Sequence, residues 1–266
     1  MLIKLFKHEI KATSRIFLPM YGLLVIFSVI TKLAHRYQRV DSLFTGILVV
    51  VPTFLYGCII VGILIMTVVM LIQRFSKNLL GSEGYLMHTL PVRPGAHIVC
   101  KLVTTSIWTI FTTFAVFFSA LYMAVDVSSW GSFFEKFKQN LDQAGTLFQM
   151  SGEVFFWGIV LLCVTYIVKM TLMIYAGMGI GQLAAKHKVG ISIAVLAGMY
   201  IVEQLLGLCV MYLIGLMSGG GFPFRDAPSA QMIRLLFWWY FGTSTLFGTV
   251  YALISNWMLK RHLNLA

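Results

Sequence analysis

The chain has 266 residues, 59% of them hydrophobic and 11% charged, with a mean hydropathy of +0.88. A soluble globular domain is about 45–50% apolar and about 25% charged, so this chain carries too little polar surface to cover itself in water. Its formal charge of +11 flanks the apolar runs, which points to anionic lipid headgroups and away from nucleic acid.

The chain opens on MLIKLFKHEIKATSR. At 100° per residue, Lys4, Lys7, Lys11 and Arg15 fall along one stripe and Leu2, Ile3, Phe6 and Ile10 along the opposite one. This predicts an amphipathic helix over 1–16 lying in the inner membrane interface, or a basic topology signal alone. Pro19 then predicts a turn into a crossing helix. The basic lead is long and no small-x-small cleavage site follows it, so the first apolar run reads as an uncleaved span.

Hydropathy predicts six spans, at about 17–34, 43–72, 98–125, 153–183, 190–217 and 234–259. Tyr37, Trp130, Trp157, Tyr212, Trp238, Trp239 and Trp257 near their ends suit interfacial anchoring. With the N-terminus inside, twelve Lys and Arg residues fall on the inner side and seven on the outer, so both termini are expected in the cytoplasm. A three-plus-three division is possible, although the halves share no alignable sequence.

Between the second and third spans lies NLLGSEGYLMHTLPVRPG, residues 78–95. Gly81 and Gly84 allow the chain to turn, EGYLMHTL suits about two helical turns, and Pro91 and Pro94 stop it. Tyr85, Leu86, Met87 and Leu90 give this short helix an apolar face that a solvated loop has no use for. It either packs back on the bilayer or needs a partner. Farther on, SFFEKFKQNLDQ predicts a second interfacial helix, with Phe133, Phe134, Phe137 and Leu141 on one face, and residues 218–229 read as a Gly- and Pro-rich loop.

Two charges lie inside predicted spans. Lys169 and Glu203 sit at similar depths, roughly 20 Å from the inner edge at about 1.5 Å per residue, so adjacent antiparallel helices can pair them or place them on a substrate path. Gly177-x-x-x-Gly181 offers a close-packing helix face. Cys58, Cys100, Cys163 and Cys209 are far apart and read as small apolar residues. No hydrolase, metalloprotease, redox or nucleotide-binding motif is present, so the chain reads as a non-enzyme with no catalytic, cofactor-binding or metal-ligating residues of its own.

LFKHEIKATSRIFLP and RFSKNLLGSEGYLMHTLPV resemble the six-span permease subunits of ATP-binding cassette (ABC) exporters, the ABC type-2 group, particularly of Gram-positive bacteria. The span count extends the resemblance along the chain, while those two segments carry its specific motifs. Relatives often have an acidic residue before the Glu-Gly, where this chain has Ser82, and it has His88 farther on. The resemblance implies an all-α integral membrane protein, a single permease domain over 1–266 in the bacterial cell membrane. Residues 1–16 become the elbow helix and 78–95 the coupling-helix loop. Glu83, Gly84, Tyr85, Leu86, Leu90 and Pro91 would then meet a separate ATPase subunit, present in two copies and holding ATP and Mg. A second permease subunit, identical or homologous, would complete the assembly. The implied cargo is a peptide such as a bacteriocin, a drug-like amphiphile or a lipid. The alternative is a non-transporting scaffold or sensor that recruits an ATPase.

Overall fold

The computed structural model describes residues 2–36, 43–75, 94–126, 129–184, 186–217 and 230–261. Among these residues every regular element is helical: α1 (Leu2–Arg36), α2 (Leu43–Phe75), α3 (Pro94–Ala124), α4 (Trp130–Leu147), α5 (Gly152–Gly181), α6 (Lys188–Met217) and α7 (Ala230–Arg261). Five of them contain stretches long and apolar enough to cross a membrane: Phe6–Arg36, Gly46–Gln73, Val99–Ala124, Gly152–Gly181 and Lys188–Leu216. Helices suit this composition because hydrocarbon offers no partner to an unpaired backbone N–H or C=O. The chain is an all-α membrane protein.

The helices group into two units. The N-terminal unit holds α1, α2 and α3 from Val99 onward. Its core is Leu24, Tyr56 and Ile63, packed against Met20, Phe27, Ile59 and Val116. Several polar side chains inside it are satisfied locally, while the Ser106 Oγ and the Trp108 Nε1 have no hydrogen-bond partner. The Thr31 hydroxyl donates to the carbonyls of Phe27 (2.7 Å) and Pro52 (3.1 Å). Tyr56 shares a hydrogen bond with Ser119 (2.9 Å), and Tyr21 with Thr112 (2.8 Å). The Lys32 ammonium donates to the carbonyls of Tyr122 and Val125 at the end of α3, where the helix dipole favours a cation.

The C-terminal unit holds α5, α6, α7 and most of α4. Here α5 is the central helix, packed on both α7 and α6. Its glycines explain how. A Cβ on Gly177 would stand 2.6 Å from the Leu196 side chain of α6, and one on Gly181 would collide with Ser192. Gly179 faces Met258 of α7 and Gly158 faces Phe237. Lipid tails give helices no hydrophobic reason to associate, so close backbone approach over small residues supplies the attraction. Ser151 caps the start of α5, and the Phe148 ring lies 4.6 Å from that of Phe155. Arg234 of α7 donates to Gln149 (2.6 Å), which holds the α4–α5 corner to α7.

Three expectations change. First, α1 has no turn at Pro19 and runs unbroken from Leu2 to Arg36, so residues 1–16 are not a separate element. Its packing stripe, Glu9, Thr13, Phe17, Leu24, Ser28 and Thr31, is buried on both sides of the proline, and this continuous face outweighs the one backbone bond that Pro19 forgoes. Second, the apolarity that marks five spans is not reached in α7, the sixth expected span. WWYFGTST within it replaces aliphatic side chains by indoles, a phenol and hydroxyls. Third, α3 begins at Pro94, so the last two residues of the expected 78–95 loop belong to a helix. Proline suits that first turn, where a backbone N–H has no helical partner anyway. Residues 76–93, and with them the expected coupling helix, lie outside the described residues.

Candidate functional site

Lys169 stands midway along α5, on the side that meets Gly248 of α7. A Cβ on Gly248 would lie 3.8 Å from the Lys169 Cβ, in ordinary van der Waals contact with the lysine. Glu203 stands midway along α6. The Lys169 Nζ donates to the Glu203 Oε2 at 2.7 Å, and both side chains are less than a tenth exposed (7% and 8%). The second carboxylate oxygen, Oε1, accepts from the Tyr251 hydroxyl of α7 at 2.8 Å. One ion pair and one phenol thus tie the three helices together at a single depth. The Lys169 ammonium also lies 5.0 Å from the centre of the Tyr166 ring, within cation–π range.

Beside this triad is a cavity of about 350 Å³. Tyr166, Lys169 and Met170 contribute from α5, and Tyr200, Glu203 and Gln204 from α6. Trp239, Tyr240, Thr243, Ser244 and Phe247 form the α7 wall. That size and lining, mostly apolar and aromatic with a few convergent polar groups, are typical of small-molecule sites. Tyr166 and Tyr240 stack at 6.2 Å. Ser244 is 3% exposed and its Oγ has no hydrogen-bond partner. A buried hydroxyl of this kind normally finds an acceptor or donor, so its place on the cavity wall is informative.

The N-terminal unit has a second buried ion pair, Glu9 to Lys101 at 3.3 Å, joining α1 to α3. The cavity near it, between Thr13, Thr67, Thr104 and Trp108, measures only about 20 Å³. That is space for one water at most, so it holds no larger ligand.

Of the residues singled out in the sequence, Lys169 and Glu203 are brought together and also line the cavity. Lys7, Lys11 and Arg15 are exposed on α1, and the Lys4 side chain lies outside the described residues. Glu83, Gly84, Tyr85, Leu86, Leu90 and Pro91 lie outside them as well. Sequence reasoning missed Tyr251 and Ser244, which look like ordinary polar positions on an aromatic helix. Lys101, one of the twelve inner-side cations counted in the sequence, is buried in α3. Glu9 was the available signal, an acid in an otherwise basic leader. Among the described residues no three His, Cys, Asp or Glu side chains gather as a metal site.

Comparison of the chain with protein-family models, with characterised proteins and with solved structures returns no match.

Proposed function

We propose that this chain is the membrane-spanning subunit of an ATP-driven exporter of the ABC type-2 kind, with the cavity beside Lys169 and Glu203 as part of its substrate path. The observation that carries the reading is this polar-edged cavity within long apolar helices, where charges are otherwise costly and mark ligand or ion routes. The sequence of residues 74–92, with its apolar EGYLMHTL, supports the link to an ATPase. In this reading α7 is the sixth span, its Trp and Tyr residues serve the interface and the path, and both termini face the cytoplasm. Glu83, Gly84, Tyr85, Leu86, Leu90 and Pro91 dock in a groove of the ATPase, and two such ATPases serve two permease subunits. The chain itself supplies no nucleotide chemistry: ATP and Mg belong to the partner. The basic stripe of Lys4, Lys7, Lys11 and Arg15 lies near anionic headgroups.

The test is the double substitution Tyr85→Asp and Leu86→Asp in cells carrying the whole system. Membrane insertion should be unchanged, and export of the native cargo should fall to the level of a strain lacking the ATPase. Export at the wild-type rate would contradict the proposal.

A further inference from the structure

The ion pair that edges the cavity restricts which ligands can bind beside it. Lys169 and Glu203 neutralise one another. A purely cationic ligand that claimed Glu203 would leave the Lys169 ammonium buried and unpaired, and a purely anionic one would strand Glu203. Either result is strongly unfavourable in an apolar interior. Ligands without net charge escape this penalty. Among those, the walls favour one chemistry.

Three observations decide it. The Lys169 ammonium has three donors, and one is spent on Glu203. The Ser244 Oγ, one helical turn from the Gly248 that touches Lys169, is a further buried hydroxyl without a partner. The two remaining Lys169 donors serve an oxyanion, and the Ser244 hydroxyl, sealed from solvent as it stands, joins them on turning about its Cα–Cβ bond. Tyr166, Tyr200, Trp239 and Tyr240 line the same cavity and supply aromatic surface for a cation, and Lys169 itself already rests over Tyr166. A neutral alcohol or sugar would leave this complementarity unused.

We propose that the cavity between α5, α6 and α7 binds a zwitterionic amphiphile, its oxyanion on Lys169 and Ser244 and its ammonium among the aromatic side chains beside Glu203. Such a head can divide the internal pair without leaving any charge alone, and its tail meets the apolar remainder of the wall. The head chemistry is shared by phosphocholine-type lipids and by singly acylated lysine, which keeps one ammonium and its carboxylate. The ligand's role as cargo rests on the exporter reading above; its binding does not.

The full-length chain, in nanodiscs of phosphatidylglycerol without zwitterionic lipid, is titrated with four six-carbon probes: hexylphosphocholine, N-hexanoyl-lysine, hexyl glucoside and hexyltrimethylammonium. The readout is the tryptophan fluorescence change that disappears in Trp239→Phe, which removes signals from probe dissolved in the bilayer. At least one zwitterion should bind about tenfold tighter than the neutral and the cationic probe, and the tighter of the two identifies a lipid-like or an amino-acid-like source. Ser244→Ala should weaken that probe several-fold with no change in melting temperature. The double variant Lys169→Met, Glu203→Met, which keeps an apolar contact in place of the pair, should lose the preference. Equal binding of all probes, tighter binding of the neutral or the cationic one, no Trp239-dependent saturation, or a preference that survives in the double variant would each overturn the proposal. No ATPase enters this measurement, so its failure leaves the export proposal standing, and a failed transport assay leaves the binding result standing.

Discussion

A lone charge in hydrocarbon costs several kcal/mol, so Lys169 and Glu203 each depend on the other more than the fold depends on the pair. Replacing one partner strands its mate, whereas replacing both by apolar residues of similar volume removes the burden altogether. Lys169→Met and Glu203→Met should therefore each lose roughly 3–5 kcal/mol of stability, and the double variant should return to within about 1 kcal/mol of wild type. Thermal unfolding in one detergent measures all three, and a double variant as unstable as the sum of the singles would dismiss the pairing. Tyr251→Phe removes one hydrogen bond and leaves the ion pair, so about 1 kcal/mol is expected in the same assay. Depth arithmetic made Lys169 and Glu203 legible together, because two charges at one level on adjacent helices are conspicuous in apolar sequence. Tyr251 was not legible, since its hydroxyl becomes a third member only once α7 packs on α5.

At the scale of the helix, small residues and buried stripes decide what packs. Gly181 meets the backbone and side chain of Ser192, so Gly181→Leu should push α5 and α6 apart and destabilise by about 1–3 kcal/mol. Gly198 has no atom within 4 Å, and Gly198→Ala should be neutral or stabilising by up to about 1 kcal/mol through helix propensity. Equal melting temperatures for the two variants would remove the packing role from Gly181. Helix positions were largely legible from hydropathy: the expected 190–217 and 153–183 are Lys188–Met217 and Gly152–Gly181. The helical character of the segment that holds Phe133, Phe134, Phe137 and Leu141 was legible too, and it forms α4. The continuity of α1 was not. Local rules stop a helix near Pro19, while Glu9 and Phe17 are held by partners about ninety residues distant in sequence. Nor does periodicity distinguish α7, whose aromatic and hydroxyl residues lower its apolarity while lining a cavity.

For the whole molecule, the two units of the chain match a three-plus-three arrangement of long helices that the sequence hinted at without any alignable repeat. The C-terminal unit carries the cavity, and the segment proposed to receive the ATPase lies in the link between α2 and α3. In the proposed exporter reading the ATPase is a separate chain, since this sequence contains no nucleotide-binding motif. The decisive measurement is therefore ATP hydrolysis by the assembly purified through a tag on this chain, in mild detergent from its own host. Wild type should bring an ATPase subunit in a one-to-one ratio and hydrolyse ATP, while the Tyr85→Asp, Leu86→Asp variant should yield the same amount of this chain with neither. A wild-type chain that purifies without ATP hydrolysis, or a double variant that retains both the subunit and full hydrolysis, would contradict the reading of this protein as the membrane half of an ATP-driven exporter.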